Sequence, residues 1–81
     1  MINAQMLALL KQLRVKPRTR REQTAFMSVI GIRRVCDLFV EHGLIELSEA
    51  DNRTCVMTIT PKGVEVVKAC EKMESLGVEF E

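Results

Sequence analysis

The side chains best equipped for chemistry in this sequence are cations, and they are unevenly placed. Eight basic residues stand between Lys11 and Arg34 (Lys11, Arg14, Lys16, Arg18, Arg20, Arg21, Arg33 and Arg34) against one acid, Glu22. From Val35 onward there are four basic residues, Arg53, Lys62, Lys68 and Lys72, and ten acids. The two parts carry formal charges of +7 and −6, so the net charge of +1 conceals one strongly basic segment. Clustered guanidinium and ammonium groups bind phosphate, and affinity for nucleic acid follows where the cations sit rather than their total.

Other chemistries are thinly represented. The three cysteines, Cys36, Cys55 and Cys70, form no C-x-x-C pair and are accompanied by one histidine, His42, so no metal site is expected. Each cysteine falls in an apolar pattern and reads as a small buried hydrophobe in a reducing compartment. An intermolecular disulfide through Cys70 is the alternative. The four glycines stand singly, which excludes a phosphate-cradling loop. No serine or cysteine pairs with His42, which adjoins a helix end and is expected to cap or to be solvated. Paired carboxylates fall only on exposed helix faces, and a chain of 81 residues leaves little room for a pocket. The chain is therefore read as a non-enzyme with no catalytic residues, no cofactor and no implied small-molecule ligand.

The elements that must position the cations follow from capping signals and periodicity. Eighty-one residues, 47% of them hydrophobic, make one small domain, 1–81, with a modest core and no wholesale disorder. No apolar run is long enough to span a membrane and no signal peptide is visible, so a cytoplasmic, nucleoid-associated location is expected. Asn3 can cap a first helix bearing Met6, Leu7, Leu10 and Leu13 at helical spacing, ending near Arg14. Lys16-Pro17 enforces an extended link, because the residue before proline avoids the helical region. Thr19-Arg20-Arg21-Glu22 fits a capping box ahead of a short second helix, about 20–26. Ser28 can cap a third helix, about 29–42, that Gly43 terminates. Residues 44–48 and 55–59 read as strands of a hairpin around the turn-rich Ala50-Asp51-Asn52-Arg53. Thr60-Pro61 opens a fourth helix, about 61–76, which Gly77 ends ahead of an acidic tail. The fold class is α+β, mostly α.

The order helix, extended link, helix, helix, hairpin, helix resembles a winged helix-turn-helix domain: three helices, a β-hairpin wing over about 44–59 and a C-terminal helix. The resemblance covers roughly residues 3–76. Its anchors are Glu41-His42-Gly43-Leu44-Ile45, similar to the end of a recognition helix, and Ile59-Thr60-Pro61-Lys62-Gly63, similar to a wing exit. Both have the spacing found in small archaeal-type winged-helix regulators and in PadR- and MarR-like repressors. The resemblance implies sequence-specific double-stranded DNA binding by a transcriptional regulator, with the third helix in the major groove.

Projected at the helical angle, Val29, Ile32, Val35, Cys36, Phe39 and Val40 share the expected core face of that helix, and Ile30, Arg33, Arg34, Asp37 and Glu41 share the other. Arg33 and Arg34 can read guanine, and Ile30 can meet a thymine methyl. Ser28 serves either as cap or as phosphate ligand. Lys16, Arg18, Arg20 and Arg21 are expected on phosphate. Arg20 and Arg21 fall in the first turn of their helix, where a cation costs about 0.3–1 kcal/mol unless an anion sits there. The resemblance places Arg53 at the wing tip on DNA, with Lys62 as a secondary contact. Val66, Ala69, Cys70, Met73 and Leu76 form an apolar stripe on the fourth helix that Val64 and Val67 widen; either all of it packs on the first helix, or part packs there and part meets the same helix of a second copy. Val66, Cys70, Met73 and Leu76 are its expected homodimer contacts, which would place two recognition helices about one DNA turn apart. The rival readings are a protein–protein adaptor and a non-specific chromatin or nucleic-acid binder.

Overall fold

The computed structural model describes residues 2–25, 27–49 and 55–81. The expectations for Phe26 and for the wing tip, including Asn52 and Arg53, lie outside the described residues. Helix α1 runs Ala4–Val15, and Asn3 caps it by accepting from the Met6 amide at 2.9 Å. It stops where proline dictates: Lys16 is extended, with φ −163° and ψ 155°. The link then does more than connect. Arg18–Thr19 forms a short strand, β1, which pairs antiparallel with a strand of the hairpin.

Thr19 and Glu22 form the expected reciprocal box: the Glu22 amide donates to Thr19 Oγ1 at 3.2 Å and the Thr19 amide to Glu22 Oε1 at 3.0 Å. These bonds to the charged form hold the Glu22 carboxyl below its ordinary pKa. The segment they open, Arg21–Ala25, is a 3₁₀ helix rather than the expected α-helix. Its start is tied to the sheet through the Arg20 amide, which donates to the Cys55 carbonyl at 3.2 Å, and the Ser28 cap follows too soon for further α-turns.

Helix α2, Val29–Glu41, is capped by Ser28, whose oxygen accepts from the Gly31 amide at 3.0 Å. It ends at Gly43, which takes φ +71°, with the Leu44 amide on the Phe39 carbonyl and the Gly43 amide on that of Val40. Strands β2 (Ile45–Glu49) and β3 (Cys55–Ile59) pair antiparallel from Ile45↔Ile59 to Glu49↔Cys55. The sheet order β1-β3-β2 puts β3 in the centre. Helix α3, Pro61–Ser75, begins at the Thr60 cap.

One knot joins the hairpin base to both flanking helices. Thr60 Oγ1 donates to the Gly43 carbonyl at 2.6 Å and accepts from the Gly63 amide at 3.1 Å, while the Thr60 amide donates to the Leu44 carbonyl. Gly63 is buried there, and a Cβ on it would run into the Leu44 carbonyl oxygen and lie 2.6 Å from Ile59 Cγ1. The core gathers Met6, Leu10 and Leu13 of α1, Ile32, Cys36 and Phe39 of α2, Leu44 and Ile45, Met57 of β3 and Val67 of α3. Full burial of one such side chain, Phe39 for example, contributes about 1.5–3 kcal/mol. The mostly helical chain with its small antiparallel sheet is compatible with a winged helix.

Candidate nucleic-acid interface

The buried stripe of α2 is Ile32, Cys36 and Phe39, flanked by half-buried Val35 and Leu38. Val29 and Val40, expected in the core, are instead 69% and 42% exposed. Both lie on the flank of the stripe opposite Val35 and Leu38, and the neighbouring elements cover only the latter flank. Cys36 seats the helix on the sheet, with its sulfur 3.1 Å from Met57 Sδ, and burial pushes its thiol pKa up to about 11. A helix held this way turns Arg33 and Arg34 outward, where neither forms an ion pair among the described residues. Ile30 is 67% exposed beside them. The first turns of α2 therefore present two guanidiniums and two exposed aliphatic side chains, Val29 and Ile30. Val29 was missed because it shares the apolar side of a helical projection. Asp37 and Glu41 occupy the outward face farther along the helix.

The preceding link supplies the other cations. Lys16 and Arg21 are exposed, and Arg18 and Arg20 are half-buried. Arg20 Nη2 donates to Cys55 Sγ at 3.0 Å, so this guanidinium is braced against β3. Arg18 Nε is buried without a hydrogen-bond partner among the described residues. Ser28 is the cap of α2, and its hydroxyl hydrogen is still able to reach an acceptor.

Two members of the basic segment face elsewhere. Lys11 Nζ bonds Glu74 Oε1 at 2.9 Å and Arg14 Nη2 bonds Glu71 Oε2 at 3.0 Å, clamping α1 to α3. The hydrogen bond lowers the Glu71 pKa and raises that of Arg14. The basic surface available to an anion is thus the link plus the start of α2, shorter than the run of charges in the sequence.

The expected interface of the C-terminal helix divides. Cys70 is 6% exposed and buried within the chain, which removes it as a dimer contact and as an intermolecular disulfide partner. Burial raises its thiol pKa. The reason is that the inward side of α3 runs through Gly63, Val67 and Cys70, one step round from the stripe read in the sequence. Val66 is half-buried, whereas Met73 and Leu76 are 43% and 76% exposed. No helix among the described residues is long and apolar enough to cross a membrane, and no group of three or more His, Cys, Asp or Glu side chains there could hold a metal ion.

No protein-family model matches the chain, and no curated protein sequence does. Solved structures do. A structure of RosR from H. salinarum, grown from NaBr, superposes with a TM-score of 0.79 at 23% identity, covering 90% of this chain and 74% of that one. The complex structure of hsRosR-S1 gives 0.78 at 23% identity, covering 90% and 72%. At that identity the likeness establishes a shared fold over most of this chain.

Proposed function

We propose that this chain is a sequence-specific double-stranded DNA-binding protein of the winged helix-turn-helix type, acting as a homodimeric transcriptional regulator. The observation that carries the reading is the start of α2. Arg33, Arg34 and Ile30 project from its outward face with exposed Val29 on the adjoining flank, while Asp37 and Glu41 on that face stand toward its far end. A helix entering the major groove by its first turns brings the guanidiniums to guanine edges and the aliphatic groups to thymine methyls, and keeps the carboxylates away from phosphate. Lys16, Arg18, Arg20 and Arg21, joined by the Ser28 hydroxyl, take the flanking phosphates. Arg53 takes a further phosphate. Exposed Met73 and Leu76, with Val66, form the contact between two copies.

Selection of bound sites from a random duplex library tests this. An enriched pseudo-palindrome supports both specificity and dimerisation. Salt-sensitive retention without enrichment replaces the reading with non-specific nucleic-acid binding, and no retention replaces it with a protein-docking role.

A further inference from the structure

A cavity of about 290 Å³ opens where the start of α1, the end of α2 and the start of α3 meet. Met6, Leu38, Phe39 and Val66 wall it, and the polar lining residues are His42 and Lys62, both exposed. None of the described lining residues is acidic. Lys62 is the second residue of α3, at the positive end of a 15-residue helix. Its stem lies over the turn that ends α2: a Cβ on Gly43 would be 3.9 Å from Lys62 Cδ. Lys62 forms no ion pair among the described residues. An apolar hollow of this size with a few polar groups at its edge is a common form of site for a small amphiphile.

We infer that this cavity binds a small apolar carboxylate, its hydrocarbon part against Leu38, Phe39 and Val66 and its carboxylate on Lys62 and His42. The commitment to an anion rests on charge complementarity: the lysine, the imidazole N–H and the helix start all favour a negative head, and none of the described lining residues carries a negative charge. The commitment to an apolar body rests on the walls. The sequence contained no sign of this site, because its residues come from three separated segments and each taken alone reads as core or as surface.

The test is a titration of the full chain with octanoate, octan-1-ol and octylamine, followed by amide chemical shifts. Octanoate should saturate and move the amides of Leu38, His42 and Lys62. The alcohol should bind roughly tenfold more weakly, as expected for loss of a charge-assisted hydrogen bond, and the amine more weakly still. Lys62→Gln, a change at an exposed position, should weaken octanoate by a similar factor and leave the alcohol unaffected. The inference is overturned if octanoate does not saturate, if all three probes bind alike to the unchanged protein, if Lys62→Gln binds octanoate as before, or if the shifts gather instead at a separate hollow lined by Met73 of α3 and Phe80 of the C-terminal tail. None of these readings uses DNA, so they stand apart from the proposed regulatory role.

Discussion

Lys11 and Arg14 belong to the basic run of the sequence but face α3, and this gives a quantitative expectation for DNA binding. Each phosphate neutralised contributes about 0.9 to the slope of log K against log salt concentration. With phosphate contacts from Lys16, Arg18, Arg20, Arg21 and Arg53, one subunit should show a slope of about −4.5. Its affinity should fall on the order of several hundredfold between about 50 and 200 mM salt. Replacing Lys16 by alanine should make the slope shallower by about 1 per subunit, across all duplex sequences alike. Replacing Lys11 and Arg14 by alanine should leave it unchanged, since these cations already sit on Glu74 and Glu71. Fluorescence anisotropy with a labelled duplex over a salt series measures both. The reasoning is refuted if the Lys11/Arg14 variant flattens the slope as much as the Lys16 variant does.

Three further outcomes follow from the packing. Gly63→Ala should destabilise by about 1–3 kcal/mol, because its Cβ meets a backbone carbonyl that cannot step aside; in a domain of this size that lowers Tm by roughly 5–20 °C in a thermal melt. Thr60→Ala should cost about 2 kcal/mol in urea denaturation, the sum of a lost cap and an unmatched Gly43 carbonyl, and Thr60→Ser should recover most of it; equal losses in the two variants would remove the role given to the hydroxyl. The carboxyls of Glu71 and Glu22 have folded-state pKa values below the ordinary 4.5, so their contribution is present above that value and is lost as pH falls through the lowered ones. Stability should therefore decline with acidification in that window, and Glu71→Gln should make the decline shallower in melts taken across it.

Local signals were legible in the sequence and long-range ones were not. Asn3, Ser28, Thr60 and Gly43 each act within a few residues of themselves, and each performs the capping role its type and place indicate. Thr19 and Glu22 also pair as expected, yet the helix they open is 3₁₀, because the Arg20 amide is engaged by a strand far along the chain. The pairing of Arg18 with Met57 had no signal, since a strand of two residues shows no alternation. Helical projection finds the outward side of α2 but carries no signal for which flank of the stripe is covered, so on the projection alone Val29 and Val40 face inward. On α3 it likewise does not say which part of the broad apolar arc packs within the chain. The clamps from Lys11 and Arg14 cross between the first and last helices, and only their geometry separates these two cations from the rest of the basic run.

The knot at Thr60 also bears on how the hairpin can vary. It closes the loop at its base: the Gly43 and Leu44 carbonyls receive the Thr60 hydroxyl and amide, with Gly63 packed against Leu44. The angle between α2 and α3 is therefore fixed below the strands and does not depend on how far they extend. Residues added beyond Glu49 and Cys55 would lengthen the hairpin at small entropic cost and leave that angle intact. Reach along a partner and the tilt of the helix that meets it can thus change independently in descendants of this chain, whereas a substitution at the knot alters both at once.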